Sequence, residues 1–428
     1  MVMRAMYAGV SGLKAEGEAL GVMGDNIANM NTVGFKSQRA VFEDVLGQSM
    51  RGGSPSAGSG VRLGEVQQVF TQGSMSSTGV ATDIALSGDG FFVVHGSVDG
   101  VVGNYYTRAG QFVLNNDGYL VSPSGLQVQG YSANPDGTLA VTLSPVSAPT
   151  SALEPRATER ISVAANLNSG DPVPALPWSA ADPGNTSNFS TTMTVYDSLG
   201  GAHSLNIYFN KTGENTWAWH ALASGDETNP PAPGMNVEVG TGTMAFTTTG
   251  ALESASSTMA TINFQGATAA QTIELSFGQS LSAGGTGVDG ITQFASPTSV
   301  SSQSQDGYAS GDFAGVAIDG QGMVMGLYSN GQRLPLAQLA VAKFRSNQGL
   351  ARAGQTLWSD TRESGAPAIG MPGTGGRGVI TAGALEGSNV DISEEFVGLI
   401  QHQRAFSANS KTITTADEML QVLMSIKR

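Results

Sequence analysis

The sequence predicts a mainly β protein with long α-helical termini that form a coiled coil. Three observations carry this. From Asp391 to Lys427 there is no proline, and Ile392, Leu399, Phe406, Ile413 and Leu420 recur every seven residues. Near the other end Met6, Leu13, Leu20 and Ile27 recur at the same interval. Between the ends lie short alternating apolar runs, in a chain with 58 glycines and only 13% charged residues. A fixed seven-residue repeat keeps one seam turned toward a partner, which is the pattern of a left-handed coiled coil.

The first helix is the weaker of the two. Its second column runs Met3, Val10, Gly17, Gly24, and it also holds Gly9, Gly12 and Gly21. Each glycine costs a helix roughly 1 kcal/mol against alanine. Alone such a helix frays; packed, its glycines let another backbone come close. An antiparallel pair inside a globular domain is the plain alternative. The segment from Asp25 to Lys36 follows, rich in Asn and Thr that bond to nearby backbone. Gly34 is placed to stop the helix.

Residues Arg51 to Gly60 read as a Gly/Ser-rich loop, and Val61 to Phe70 as a strand. Ser87-Gly88-Asp89-Gly90 is a turn into the apolar strand Phe91 to Val94. A meander follows: Gln111 to Leu114, a turn at Asn115 to Gly118, Tyr119 to Ser122, a second turn, then Leu126 to Tyr131. The same domain resumes near Gly307 and ends near Trp358. Between 144 and 287 lies an insertion with Pro-rich and Gly-rich borders. Its predicted strands are Thr192 to Tyr196, His203 to Asn210, Trp217 to Leu222, Thr243 to Thr248 and Gln271 to Phe277. Residues 146–284 carry three basic against eleven acidic side chains, so this part holds most of the net charge of −14. That is the charge of a well-solvated outer domain. The last segment is predicted as one helix of ~55 Å at 1.5 Å per residue. Asp391 caps it, with Glu394 three residues on as in a capping box. Its companion column is Phe396, Gln403, Ser410, Asp417 and Met424.

Composition excludes much chemistry. No cysteine means no disulfide, thiolate metal site or thiol catalysis. The acidic balance argues against nucleic acid. No run of ~18 apolar residues predicts a membrane span. Met1 to Leu20 is too broken by Gly and charge for a signal-peptide core. Gly373 to Gly378 matches G-x-G-x-x-G, but Pro372 before it and Val379 after it give neither the strand nor the helix that a dinucleotide site needs. His95, His203, His220 and His402 show no metal-ligand spacing, and His402 reads as a surface or inter-subunit residue. Asn115 to Gly118 lacks the other ligands of a calcium loop. Catalytic, cofactor and metal residues are therefore none, and the chain reads as no enzyme.

Two strings identify a family. Asp25-Asn26-Ile27-Ala28-Asn29-Met30-Asn31-Thr32-Val33-Gly34-Phe35-Lys36 resembles the N-terminal signature of bacterial flagellar rod and hook proteins, with Asp25 in place of its first Asn. Ala384 to Asp391, with Asn389 and Val390, then Gln403-Arg404-Ala405-Phe406 and Ala408-Asn409-Ser410, resembles their C-terminal signature. Thr107 to Phe112 is similar to the same family. Asn166 to Asn168, Val195 to Gly200 and Leu205 to Phe209 resemble the hook proteins. The resemblance implies a nested architecture: terminal helices at 1–36 and 385–428, a connecting region at 37–82 and 359–384, an inner β domain at 83–143 and 288–358, and the outer inserted domain at 144–287. It implies a structural subunit of a curved flexible tube, the universal joint that carries torque from rod to filament. It also implies export through the flagellar secretion channel without a cleaved signal, and an extracellular place in the hook. The implied partners are other copies of the chain, the distal rod protein, the hook cap protein, the hook–filament junction protein and the flagellar export apparatus. Alternatives are a distal rod or junction protein or, outside the family, a secreted β-rich adhesin or enzyme.

Overall fold

The computed structural model describes residues 2–45, 60–134, 137–149, 151–256 and 258–426. The loop expected at 51–60 lies, except for Gly60, outside the described residues. The chain divides into two compact units. One takes 1–150, 314–327 and 333–428; the other takes 151–313 and 328–332.

The first unit holds the two long helices, α1 (Val2–Ala28) and, at the far end of the chain, Ile392–Ile426. A four-residue turn of helix, α2 (Pro183–Thr186), lies between them in the chain, so the last helix is α3. The predicted stop at Gly34 is displaced. α1 ends at Ala28, because Asn29 turns its side-chain amide back onto the Asp25 carbonyl (2.9 Å) and carboxylate (3.0 Å). Gly34 serves a close approach instead: its φ is +70°, and a Cβ there would stand 2.5 Å from the Ala109 nitrogen. Asp391 caps α3 as expected, accepting from the Ser393 amide at 2.8 Å and the Glu394 amide at 3.3 Å.

The β part of this unit is built on the hairpin Phe91–Val98 and Val101–Thr107, turned at Asp99 and Gly100, both at positive φ. Gln127–Ala133 pairs one side of it through Val94 and Val128, and Leu357–Ser359 pairs the other through Trp358 and Tyr106. The core gathers Phe91, Val93, Tyr106, Ala342, Phe344 and Trp358. Tyr106 meets Phe344 edge-on at 4.7 Å, and Phe91 meets Trp358 at 5.4 Å. Burial, then the Asp360 charge, pushes the Tyr106 hydroxyl up to about 12. So residues 91–107 and 340–358 share one core, although the other unit separates them in the chain. The turn at Asn115 is closed by its own side chain, whose oxygen accepts from the Asp117 and Tyr119 amides.

The second unit has two sheets around one core. Five antiparallel strands run in order from Phe189–Tyr196 through Ala202–Gly213, Thr216–Ser224 and Asn236–Phe246 to Leu252–Ser256. Four more run Met259–Ile262, Gln271–Ser276, Arg160–Asn166, Ser299–Gln305. Alternate residues fill the space: Ile161, Val163 and Ala165 from one sheet; Leu205, Ile207, Phe209, Trp217 and Trp219 from the other. The unit runs past the Gly-rich border at 284–287, because Ile291 is buried in its core and Ser299–Gln305 pairs with Arg160–Asn166. The loop Gly373 to Gly378 wraps its own Arg377, whose guanidinium donates to the Met371 carbonyl and Thr374 hydroxyl. No helix among the described residues is long and apolar enough to cross a membrane.

Candidate assembly interface

The two terminal helices pair with each other, but along a line that heptad counting misplaces. On α1 the contact face is Gly9, Gly12, Glu16, Ala19, Met23 and Asn26, at alternating steps of three and four. Met6, Leu13, Leu20 and Ile27 flank this line, each half-buried. On α3 the line holds Ile413, Asn409, His402, Gly398 and Glu395. These numbers fall as those of α1 rise, so the helices are antiparallel.

The fit is small against large. A Cβ on Gly9 would stand 3.0 Å from Ile413 Cγ1, and one on Gly12 would stand 2.7 Å from Asn409 Nδ2. Gly398 returns the arrangement, with Met23 Cε only 2.5 Å from where its Cβ would be. Each glycine therefore lets the other helix press in, and a large residue there would part the backbones. That explains why the apolar column on α1 lies beside the seam and not in it.

On α3 four residues of the predicted column, Leu399, Phe406, Ile413 and Leu420, are half-buried, and the fifth, Ile392, is 40% exposed; Phe396, which opens the companion column, is 49% exposed. The companion column lies three residues after the first, not four: Glu395, His402, Asn409 and the buried Ala416. Gln403, Arg404 and Met424 of the predicted set face outward.

Polar pairs fix the seam. His402 Nδ1 and Glu16 share a short hydrogen bond, so His402 joins the two helices of one chain while its side chain stays 23% exposed. Asn26, fully buried, donates to Glu395 at 2.7 Å and to the Gln38 carbonyl at 2.7 Å, and accepts from the Gln38 amide at 2.9 Å. Burial pushes the Glu395 carboxyl above its usual range; Asn26 pulls it down and Glu394 pushes it up. A folded carboxyl raised in this way favours its protonated form. Its contribution is fully present below the ordinary value of 4.5 and is lost as pH rises through the raised value. Amide exchange at 392–400 is expected to slow as pH is lowered to 4.5, after correction for intrinsic rates, and to slow less in Glu395→Gln. Equal pH dependence in both proteins would contradict this account.

Below the helix pair lies its root. Glu386, just before α3, is fully buried. Its carboxylate accepts from Lys36 Nζ at 2.6 Å, the Gly73 amide at 2.9 Å and Arg108 Nη1 at 3.0 Å. Lys36 also donates to the Thr71 carbonyl at 2.7 Å, and Arg108 to the Leu86 and Gly88 carbonyls. Burial holds the Lys36 amine below its usual range, against the pull of Glu386. Asn389 sits beside the cluster, accepting from the Ser37 amide at 2.7 Å and donating to the Val69 carbonyl at 2.8 Å. Phe35 is buried under the Arg352 guanidinium, 5.8 Å away. Thr32 donates to Asn29, and Val390 is half-buried. The N-terminal and C-terminal signature strings thus meet here. Lys36, Arg108 and Glu386 were not singled out by sequence reasoning. Each is nonetheless a charged residue within a string that carries the family resemblance, in a chain poor in charge.

Four family descriptions match along the chain. They are "Flagella basal body rod protein" at 6–36, "Flagellar hook protein FlgE/F/G D1 domain" at 85–166, "Flagellar basal body protein FlaE D2 domain" at 166–308 and "Flagellar basal body rod FlgEFG protein C-terminal" at 381–426. The chain is similar to the flagellar hook protein of Salmonella typhimurium, 39% identical over 98% of both chains. It is also similar to that of Borreliella burgdorferi, 33% identical over the whole of both. Among solved structures, the Helicobacter pylori flagellar hook protein FlgE2 shares the fold, with a TM-score of 0.50 at 17% identity, over 71% of this chain and 98% of that one.

Proposed function

The chain belongs to the flagellar hook protein family, as a structural subunit of the hook, and from that premise we propose how it assembles. The helix pair is the innermost layer and packs as a coiled coil against the pairs of neighbouring copies. The inner β domain lies outside it, and the inserted domain is outermost. The subunit is exported unfolded without a cleaved signal. It polymerises under a cap protein between the distal rod and the hook–filament junction, and works as a universal joint. Small surfaces rich in Gly, Ser and Thr permit sliding between subunit columns as the curved tube turns. No catalytic role is assigned.

The observation that carries the assembly reading is the surface left over once α1 and α3 have paired. Ile392, Phe396, Val397 and Ile400 of α3, and Met3, Tyr7 and Val10 of α1, each remain 40% or more exposed. Apolar rows of that size on paired helices call for further partners, and a self-polymerising family supplies one in the next copy.

The lack of cysteine makes the test clean. In Ile400→Cys a thiol reagent is expected to react freely with the monomer and at least roughly tenfold more slowly with tubes verified by electron microscopy, as for a residue buried between subunits. Equal reactivity in tubes and monomer would remove this face from the interface.

A further inference from the structure

The buried cluster at the root of the helices has a property that packing alone does not require. Two cations share one carboxylate. The side chains of Lys36 and Glu386 are closed to solvent, and that of Arg108 is 6% exposed. Arg108 Nε is buried without a hydrogen-bond partner. The three charges come from separate parts of the chain: just after α1, the end of the strand Val101–Thr107, and just before α3. A buried cation without a counter-charge is strongly disfavoured, and removing one partner of a buried pair is far more damaging than never having built it. Until Glu386 arrives, the segment around Lys36 and the seat of Arg108 cannot dry out against each other.

We propose that Glu386 is a latch that closes last and couples the two ends of the chain. The segment after α1 packs onto the β sheet only when the segment before α3 brings in its carboxylate. The backbone repeats the logic, since the Glu386 carbonyl accepts from the Gly34 amide at 2.8 Å and Ala384–Glu386 pairs with Met75–Ser77. A subunit that lacks its last segment therefore has no rooted helix. A complete one fixes the root before the helix tips meet anything else. The use of this latch in assembly rests on the reading of the helix pair given above; the latch itself does not.

The test is amide exchange on full-length monomers, with the strands Phe91–Val98 and Val101–Thr107 as internal reference. In Glu386→Gln, residues 33–37 and 70–74 are expected to lose roughly 100-fold or more of their protection, from the cost of stranding buried charge. The reference strands are expected to hold. Lys36→Met combined with Glu386→Gln removes one stranded cation and is expected to regain at least roughly tenfold of the loss. Unchanged protection in the single variant overturns the latch. A double variant no better than the single one overturns the charge account, whether or not the reference strands have also weakened. All of this is read on monomers, so a failure of the wild-type protein to form tubes would bear on the assembly reading alone.

Discussion

Ile413→Asp subunits are expected to stay monomeric with both β units folded. Ile413 fills the space that Gly9 leaves open, its Cγ1 3.0 Å from where a Cβ on Gly9 would stand. An aspartate there sets an unpaired carboxylate against glycine and backbone. Desolvating it without a partner costs several kcal/mol, and the cost recurs in every subunit of a polymer. The β cores are untouched, because Phe91, Trp358 and Trp217 lie in clusters that contain no residue of α3. Tube yield by sedimentation, set beside the thermal melt of the monomer, decides the matter. Normal tubes, or β units melting far below wild type, would count against an assembly role for this seam.

The second large effect runs against intuition about helices. Gly12→Leu is expected to raise the intrinsic helix propensity of α1 and yet abolish its pairing. Leucine is favoured over glycine by ~0.8 kcal/mol in a helix interior. But a Cβ at this position would already stand within 3.0 Å of three Asn409 side-chain atoms, and the rest of the leucine has nowhere to go. Forcing volume into a filled contact costs ~1–3 kcal/mol, again in every subunit. Gly21 and Gly24 provide the contrast. Nothing lies within 4 Å of a Cβ at either position, so alanine there is expected to slow exchange in α1 of the monomer. Any loss of tubes from Gly21→Ala would then be a contact with a neighbouring copy. If Gly12→Leu and Gly21→Ala behave alike in the monomer, the fit described for the seam is wrong.

The sequence made the β elements plain wherever apolar residues alternate, as in His203 to Asn210 and Trp217 to Leu222. It hid Ser299–Gln305, whose residues Ser-Val-Ser-Ser-Gln-Ser-Gln hold one apolar side chain; that strand exists because Arg160–Asn166 offers it a free edge. Both helices were legible, and so was the cap at Asp391. Their contact line was not, because a search for large apolar columns passes over a seam made of Gly9, Gly12, Glu16 and His402. The glycines were visible as a cost; where they met a partner was not. Asn26 and Asn389 stood out through resemblance alone, since nothing in an isolated asparagine says which backbone it will bind.

The polar pairs along the helices have one more consequence. Slipping α1 by seven residues one way would set Glu16 against Glu395, like charge to like, and Asn26 past the start of α3. Slipping it the other way would set Glu16 against Asn409, Asn26 against His402, and the narrow site at Gly9 against Leu420. Neither slip restores a full set of partners, so the energy along the sliding coordinate has one deep notch and no second one a heptad away. An apolar zipper under steady load can creep from notch to notch and lengthen. A pair keyed in this way stretches and returns, or else comes apart.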